Sequence, residues 1–276
     1  MNEGTASDPS APGTRTLRVL VAYDGSGYHG WQVQPGLPTV QGEIESALSR
    51  ITGQRTRVHG AGRTDTGVHA LGQVASFTLT TRIPDDRLAS ALNAHLPPEI
   101  RVGAVEPSPT RSTRASAHWR CYGYLLVREP SPFLSRYAFR SRPWPDPDPM
   151  NAACAELTGE RDFRAFTSQP EGPFGCFLFG ARWRAWSDGL VFEVRANRFL
   201  HRMVRFLVGT CLEIGRGNRP VEEMANLLES GDRRRTPAPA PSTGLYLLEV
   251  GYEEPWTGRS SASLAGPIPR VFPASD

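Results

Sequence analysis

Residues 16–23, TLRVLVAY, alternate apolar and other residues and include β-branched side chains, which predicts a β-strand. A helix is expected after it, with Thr39 as its N-cap and Gly53 at its end. The elements predicted after the first strand are a helix, two strands, a second helix and a fourth strand, at residues 40–51, 55–58, 73–79, 84–95 and 100–105. This order is typical of a split βαβ unit, which is the ferredoxin-like arrangement.

The second half of the chain repeats that order loosely, with Asp188-Gly189 as a strong hairpin turn signal. Its predicted elements are strands at residues 121–127, 179–186, 190–195 and 245–250 and helices at residues 150–157, 199–214 and 221–228. We therefore predict an α+β protein of two tandem ferredoxin-like halves, with mostly antiparallel sheets, helices on the outer face and a basic cleft between the halves. The predicted halves are residues 15–112 and 113–254, flanked by flexible tails at residues 1–14 and 255–276.

The composition is that of a globular protein. The chain has 276 residues, of which 39% are hydrophobic and 21% charged, and this excludes a wholly disordered, collagenous or coiled-coil protein. Its longest apolar runs are too short to span a bilayer, and residues 1–14 lack the charged and apolar regions of a leader peptide. We therefore expect no membrane association and a cytoplasmic location.

The charge distribution suggests a polyanionic partner. All 31 basic residues are arginines, against 28 acidic residues, and the planar guanidinium group matches the geometry of phosphate. Residues 111–142 hold seven arginines and one acidic residue, and residues 195–219 hold six arginines and one acidic residue. Two basic blocks on a nearly balanced chain are typical of a nucleic-acid-binding surface. From charge alone, two solvated surface faces explain the arginine blocks as well as a nucleic-acid-binding surface does.

The spacing of cysteines and histidines argues against a metal site. No two cysteines form a C-x-x-C pair, and the six histidines are scattered without an H-E-x-x-H motif. The four cysteines are Cys121, Cys154, Cys176 and Cys211. We predict buried free thiols, ordinary histidines and no metal ion.

Residues 24–30, DGSGYHG, contain the G-x-G-x-x-G spelling of a dinucleotide-binding loop. That function requires a helix to begin at the third glycine, here Gly30, so that the helix N-terminus faces a pyrophosphate. The following residues, WQVQP, allow no helix before Thr39. We predict instead a tight loop that places Tyr28 and Trp31 near the active face.

A second glycine-rich string, GAGRTDTGVHA at residues 60–70, is the strongest candidate site. Its glycines frame Arg63 and Asp65, as expected of a backbone that approaches another group closely and exposes two side chains. A nearby positive charge favours the ionised form of an aspartate. Taken alone, an arginine two residues from an aspartate is more often a surface ion pair in a polar turn.

A third motif lies in residues 197–215. Arg198, Arg202 and Arg205 recur at helical spacing, apart from the apolar positions of the predicted helix. Such a stripe is commonly a solvated helix face, and the alternative is a set of phosphate contacts beside a site.

Together these motifs resemble the tRNA pseudouridine synthase A family. GAGRTDTGVHA is similar to the signature loop of that family, and further similar segments follow in the family's order between about residues 16 and 252. They are YGYL at residues 122–125, GERDF at 159–163 with Phe166, NRFLHRMVR at 197–205 and GLYL at 244–247. The chain departs from the family pattern near residues 172–180, where Cys176 is followed by Arg182-Trp183-Arg184 rather than an R-T-I-like strand.

The resemblance implies an isomerase that converts uridine to pseudouridine in the anticodon stem-loop of tRNA, conventionally at positions 38, 39 and 40, without a cofactor. It implies that Asp65 is the catalytic carboxylate. Attack on C1′, stabilisation of an oxocarbenium-like centre and removal of a C2′ proton are three roles for Asp65 that the sequence leaves open. A homodimer that holds tRNA against both subunits is also expected from the resemblance.

Further site residues follow from the same resemblance. Arg63 would support the extruded nucleotide, and Tyr122 would stack on the uracil and relay the C5 proton. Arg205 would pair with the Asp65 carboxylate, and Leu245 would form an apolar wall that excludes water. The remaining predicted substrate contacts are Arg198, His201 and Arg202.

Two other classes of function are considered beside the enzyme. A non-catalytic RNA-binding protein with ferredoxin-like sheets would explain the arginine blocks, although it has no use for a glycine-framed aspartate. An enzyme with a nucleotide cofactor rests only on the glycines of residues 25–30.

Overall fold

A computed structural model describes residues 13–108, 113–186 and 188–252. Within these ranges the chain forms a ten-stranded sheet and five α-helices. The strands are β1 (Gly13–Tyr23), β2 (His59–Gly60), β3 (His69–Thr81), β4 (Ile100–Pro107), β5 (Trp119–Val127), β6 (Phe139–Arg140), β7 (Gly159–Asp162), β8 (Gly175–Trp186), β9 (Gly189–Ala196) and β10 (Leu245–Gly251). The helices are α1 (Val40–Thr52), α2 (Asp85–Asn93), α3 (Pro147–Ala155), α4 (Met203–Gly215) and α5 (Glu223–Ser230).

The sheet joins strands from both parts of the chain. Its order is β4-β1-β3-β10-β5-β9-β8-β7, with β2 beside β3 and β6 beside β5. The pairs β3–β10 and β5–β6 are parallel and the others are antiparallel. The predicted α+β class with a mostly antiparallel sheet is therefore confirmed. The tandem halves and the basic cleft between them stay predictions, and the proposed boundary falls at residues 109–112, outside the described part of the chain.

The helices cover one face of this sheet. The buried hydrophobic side chains of all five helices belong to one large apolar cluster, to which β5 contributes Tyr122, Tyr124 and Leu126. Leu125 and Val127, whose side chains alternate to the opposite face, belong to a smaller cluster that includes Tyr246. Strand β5 is thus buried on both faces, which fits its nearly continuous apolar sequence.

The predicted ends of α1 agree with the structure. Thr39 is its N-cap, and the Thr39 hydroxyl accepts a hydrogen bond from the Gly42 amide at 3.3 Å. Gly53 ends the helix in the left-handed conformation with φ of 70°. By contrast, α3 begins at Pro147, three residues before the predicted start, because the Asp146 carboxylate caps it.

The strand predicted at residues 55–58 is wrong. The segment after α1 joins the sheet only at His59–Gly60, which pairs with β3. The Val58 amide instead donates a hydrogen bond to the Glu45 carboxylate of α1 at 2.9 Å. The backbone at Val58 therefore bonds to a side chain of α1, whereas the sequence pattern predicted bonds to a neighbouring strand.

Some other predictions lie partly or wholly outside the described residues. Residues 13 and 14, placed in a tail by the sequence, begin β1, whereas the rest of both predicted tails is not described. All four cysteines are free thiols, as predicted, but only Cys154, Cys176 and Cys211 are buried, whereas Cys121 is partly exposed. Among residues 13–108, 113–186 and 188–252, no helix is long and apolar enough to cross a membrane, and no group of three or more His, Cys, Asp or Glu residues could hold a metal ion.

Candidate active site

The predicted site residues come together around one cavity of about 780 Å³. Its walls are formed by the loop at residues 61–68, the side chain of Tyr122 on β5, the segment at residues 198–205 and the first residue of β10. All eight predicted residues line it: Arg63, Asp65, Tyr122, Arg198, His201, Arg202, Arg205 and Leu245. Their sequence positions extend from the first quarter of the chain nearly to its end, so the sheet and its loops create the site.

Asp65 is held by backbone contacts on both sides of it. The Trp31 amide donates a hydrogen bond to the Thr64 carbonyl oxygen at 3.1 Å, and the Gly67 amide donates one to the Tyr28 carbonyl oxygen at 3.2 Å. The Thr64 hydroxyl also lies 2.8 Å from the hydroxyl of Tyr23, in a buried pair. The loop that carries Asp65 is thus bound to the chain at residues 23–31.

Glycine in residues 25–30 allows this segment to lie close against the loop that carries Asp65. Gly30 has φ of 84°, and a Cβ added there would lie 2.4 Å from the Thr64 carbonyl oxygen. As predicted, no helix begins at Gly30, since the next α-helix starts at Val40. Tyr28 and Trp31 are buried, whereas their polar neighbours His29, Gln32 and Gln34 line the cavity. The two aromatic rings are buried beside the loop that carries Asp65 rather than facing the cavity.

Two residues that position the loop were missed in the sequence. Gln73 binds both polar groups of the Gly62 backbone: its Oε1 accepts from the amide at 3.1 Å and its Nε2 donates to the carbonyl oxygen at 2.6 Å. Arg120 donates hydrogen bonds to the carbonyl oxygens of Ala61 and Arg114 at 3.0 and 2.9 Å. The available signal was Gln73 itself, an amide at the start of the predicted strand, which the structure buries completely and which therefore needs partners.

The Asp65 carboxylate faces two basic side chains. Its side chain is 24% exposed, with Oδ1 3.5 Å from His201 Nε2 and Oδ2 3.9 Å from Arg205 Nη1. Arg205 is anchored because its Nε donates a hydrogen bond to the Ala240 carbonyl oxygen at 2.7 Å. The other ring nitrogen of His201 lies 2.8 Å from the hydroxyl of Ser168. Burial lowers the pKa of the Arg205 guanidinium, and the Asp65 charge opposes that effect; an arginine nevertheless stays protonated.

Tyr122 and Leu245 supply apolar surface to the cavity. The ring of Tyr122 meets that of Phe199 edge to face, with centroids 4.9 Å apart. Burial raises the pKa of the Tyr122 phenol far above its usual value. Stacking on the uracil and relay of the C5 proton both stay predictions for Tyr122. Leu245 is 4% exposed at the first position of β10.

Arg198 and Arg202 do not lie on one helical stripe with Arg205. The helix predicted from residue 199 begins only at Met203, because Arg202 has the left-handed φ of 62° and the preceding residues form a turn. Both arginines nevertheless line the cavity, from the turn rather than from the helix. The helical spacing of the three arginines is therefore incidental, whereas their prediction as neighbours of the site agrees with the cavity.

Sequence comparison identifies the family to which this arrangement belongs. A family model described as tRNA pseudouridine synthase matches residues 19–115 and 153–253. The chain belongs to the tRNA pseudouridine synthase family. Membership makes it an isomerase that acts on tRNA, rather than the non-catalytic RNA-binding protein considered as an alternative.

Relatives of this pseudouridine synthase are similar over nearly their whole length. A tRNA pseudouridine synthase A of Chlorobaculum tepidum is 43% identical over 242 residues, which cover 86% of this chain and 98% of that protein. Proteins of the same name from Syntrophomonas wolfei and Moorella thermoacetica are 39% and 41% identical, each over 86% of this chain and over 98% and 99% of their own length. A chain in the crystal structure of a Cbf5-Nop10-Gar1 complex covers 85% of this chain and 59% of its own, with a TM-score of 0.33 and 10% identity, too low to bear on the fold.

Proposed function

We propose that this synthase isomerises uridines of the tRNA anticodon stem-loop, at positions 38, 39 and 40, with Asp65 as the catalytic carboxylate. One observation carries the proposal: Asp65 is the one acidic side chain among the described residues that line the cavity. It is partly exposed there and faces Arg205 and His201. A carboxylate with that access is able to meet the ribose of a nucleotide bound in the cavity.

The reaction breaks the N1–C1′ glycosidic bond and joins C1′ to C5 after the uracil turns. The C5 proton then leaves as the C5–C6 double bond is restored, and N1 gains a proton, so the product is an isomer of the substrate. No electrons are gained or lost overall. The anionic oxygen of Asp65 acts at the ribose, by attack on C1′, by stabilising positive charge there or by removing a C2′ proton.

The other side chains bind and orient the nucleoside. Tyr122 presents an aromatic ring on which the uracil stacks. Leu245 keeps water from the detached sugar, which water would otherwise hydrolyse. Arg63, exposed at the cavity, supports the flipped nucleotide or occupies the space that the nucleotide leaves in the RNA stem. Asp65 is held ready by Arg205, and His201 lies close enough to contact it.

Recognition of several adjacent uridines requires shape and phosphate contacts rather than a base code. A uridine within an A-form stem is reached only by flipping it out, which costs a few kcal/mol. Exposed arginines on the rim of the cavity supply the phosphate contacts that offset this cost. A homodimer and a cytoplasmic location, expected from the sequence, stay predictions, as does the absence of a cofactor.

Site mapping tests the assignment to the anticodon arm. The full chain is incubated with tRNA transcripts that carry uridine at one of positions 38, 39 or 40, with compensating changes in the paired nucleotides. Pseudouridine is then located by carbodiimide modification and primer extension. We expect modification at each of these positions and none in a transcript with cytidine at all three. Pseudouridine formed elsewhere in the tRNA would contradict the anticodon assignment and leave the family membership intact.

The affinity for tRNA is expected to fall steeply with salt. Phosphate contacts from Arg63, Arg198 and Arg202 would give a slope of about −2 to −3 when the logarithm of the association constant is plotted against that of the salt concentration. Replacing Arg198 and Arg202 together by glutamine should weaken the slope by about 1.5. Filter binding measures both values.

The matched control for this titration is Arg87→Gln. Arg87 is exposed on α2, beside Asp86, and is not among the described residues lining the cavity. Its replacement should leave the slope unchanged. A nearly flat salt response of the unaltered protein would contradict a basic binding surface.

A further inference from the structure

A largely buried polar cluster joins four distant segments of the chain, and none of the roles assigned above uses it. Its members are Asp24, His69, Tyr137 and Tyr246. His69 is the first residue of β3 and follows Asp65 by four positions. Its side chain is only 2% exposed, and it is not among the described residues that line the cavity.

The two ring nitrogens of His69 contact opposite parts of the fold. Nδ1 lies 3.2 Å from the Asp24 carboxylate and 3.2 Å from the Gly25 amide nitrogen. Nε2 lies 3.2 Å from the carbonyl oxygen of Thr243, a residue 174 positions further along the chain. The ring also stacks on Tyr246, with centroids 4.8 Å apart and planes inclined by 23°. His69 therefore bridges residues 24–25 and the start of β10.

Asp24 is in turn held in place by its own partners. Its Oδ1 accepts a hydrogen bond from the Ser26 amide at 2.9 Å, and its Oδ2 accepts one from the Tyr137 hydroxyl at 3.1 Å. Arg136 Nε lies 3.4 Å from Oδ2. Burial alone would favour the neutral acid, but the hydrogen bonds with His69 and Ser26 outweigh it and hold the pKa of the Asp24 carboxyl well below its usual range. A buried network in which each member has partners is rigid.

Backbone pairing holds β3 against β10 over only a short length. The parallel pairing of β3 with β10 comprises only two residue pairs, Tyr246 with His69 and Leu247 with Ala70. This short ladder is the backbone pairing between the end of the catalytic loop, where β3 begins, and the start of β10, where Leu245 lies. Side-chain contacts across it therefore have to maintain the distance between Asp65 and the apolar wall.

We propose that His69, anchored by Asp24, is a positioning residue that fixes the catalytic loop against the start of β10. It acts through the placement of Asp65 and Leu245 and does not contact the substrate. The inference rests on the roles proposed above for those two residues.

Substitution of His69 by phenylalanine tests this role in the full chain. Phenylalanine keeps the ring and its stacking on Tyr246 but removes both polar links. We expect the single-turnover rate, measured as tritium release from tRNA labelled at uridine C5, to fall about 30-fold, because sub-ångström to ångström misplacement of reacting groups has costs of this order. The dissociation constant for tRNA should stay within about threefold, since the arginines that contact phosphate are untouched.

Two partial replacements of His69, one substitution of Asp24 and one control outside the cluster complete the test. His69→Asn keeps a polar atom near the position of Nδ1, and His69→Gln keeps one near that of Nε2, so each is expected to recover part of the rate. Asp24→Asn preserves shape but removes the charge, and decides the question should His69→Phe fail to fold. His95→Phe alters a histidine at the end of α2 whose ring contacts the Ala91 carbonyl oxygen, and it should change neither quantity.

The proposal is overturned if folded His69→Phe and Asp24→Asn react at the rate of the unaltered protein. It is equally overturned if rate and tRNA affinity fall together in both variants, because that would show a general loss of structure. Asp65→Asn in the same assay keeps the two proposals apart: retained activity there would remove the proposed function whatever His69 does.

Discussion

Replacement of Asp65 by asparagine is expected to abolish tritium release from tRNA labelled at uridine C5, with a loss of about 10⁴-fold or more. The amide has nearly the size and shape of the carboxylate, but it carries no anionic oxygen. All three roles open to Asp65 require that oxygen at the ribose. Arg205 remains bound to the Ala240 carbonyl oxygen, so the walls of the cavity should persist in the variant.

The matched control is Asp86→Asn, which removes an exposed carboxylate of α2 beside Arg87. It should release tritium at the rate of the unaltered protein. The affinity of Asp65→Asn for tRNA is expected to be close to normal, which separates lost chemistry from lost binding. Equal release by the Asp65 variant and the unaltered protein, or none by either, would remove Asp65 as the catalytic group.

Gly30→Ala is expected to lower the single-turnover rate by about 100-fold, although Gly30 itself is remote from any reacting atom in sequence. The new Cβ would lie 2.4 Å from the Thr64 carbonyl oxygen, so the backbone at residues 64–66 has to move away. That movement weakens the hydrogen bond from the Trp31 amide and displaces Asp65 directly. Single-turnover kinetics combined with tRNA binding measures the effect.

Gly36→Ala separates this clash from backbone strain. Gly36 has φ of 73°, close to the 84° of Gly30, yet a Cβ added to it meets no atom within 4 Å. Both substitutions therefore cost roughly 1–2 kcal/mol of conformational strain, but only Gly30→Ala should impair the reaction. A normal rate for Gly30→Ala would show that Asp65 tolerates displacement of its loop.

The Asp65 and Gly30 variants test one structural feature whose two parts are separate motifs in the sequence. The glycines of residues 25–30 have the spelling of a phosphate-binding loop, and GAGRTDTGVHA follows thirty residues later. In the fold the first segment supports the second through backbone contacts from Tyr28 and Trp31. Glycine is required in the first segment because another loop of the same chain lies against it.

The class of fold was predictable from the sequence because it depends on local patterns, whereas the predicted site residues came from one specific string and from the family resemblance. Strand β1 and helix α1 follow from side-chain periodicity and caps, which act over a few residues. Asp65 could be singled out because its glycine-framed string is long and specific. Tyr122, Leu245 and Arg205 entered through the resemblance, and all of them line the cavity.

Other features could not be predicted, since they depend on contacts between distant residues. The backbone at Val58 binds Glu45 of a helix instead of a strand, and the turn at Arg202 delays α4 by four residues relative to the periodic pattern. Gln73 and Arg120 were missed because their partners are backbone atoms of a loop far away in the chain.

The sequence by itself determined which segments form strands and helices, which family the chain resembles and which carboxylate is the candidate for catalysis. The resemblance already implied that Arg205 pairs with that carboxylate, but only the tertiary structure added His201 on its other oxygen and left Arg63, its neighbour in sequence, exposed at the cavity. The physical reason is one of range. Hydrogen bonding and side-chain periodicity within an element act over a few residues, but the β3–β10 pairing that brings Leu245 to the catalytic loop exists only once the whole sheet has formed.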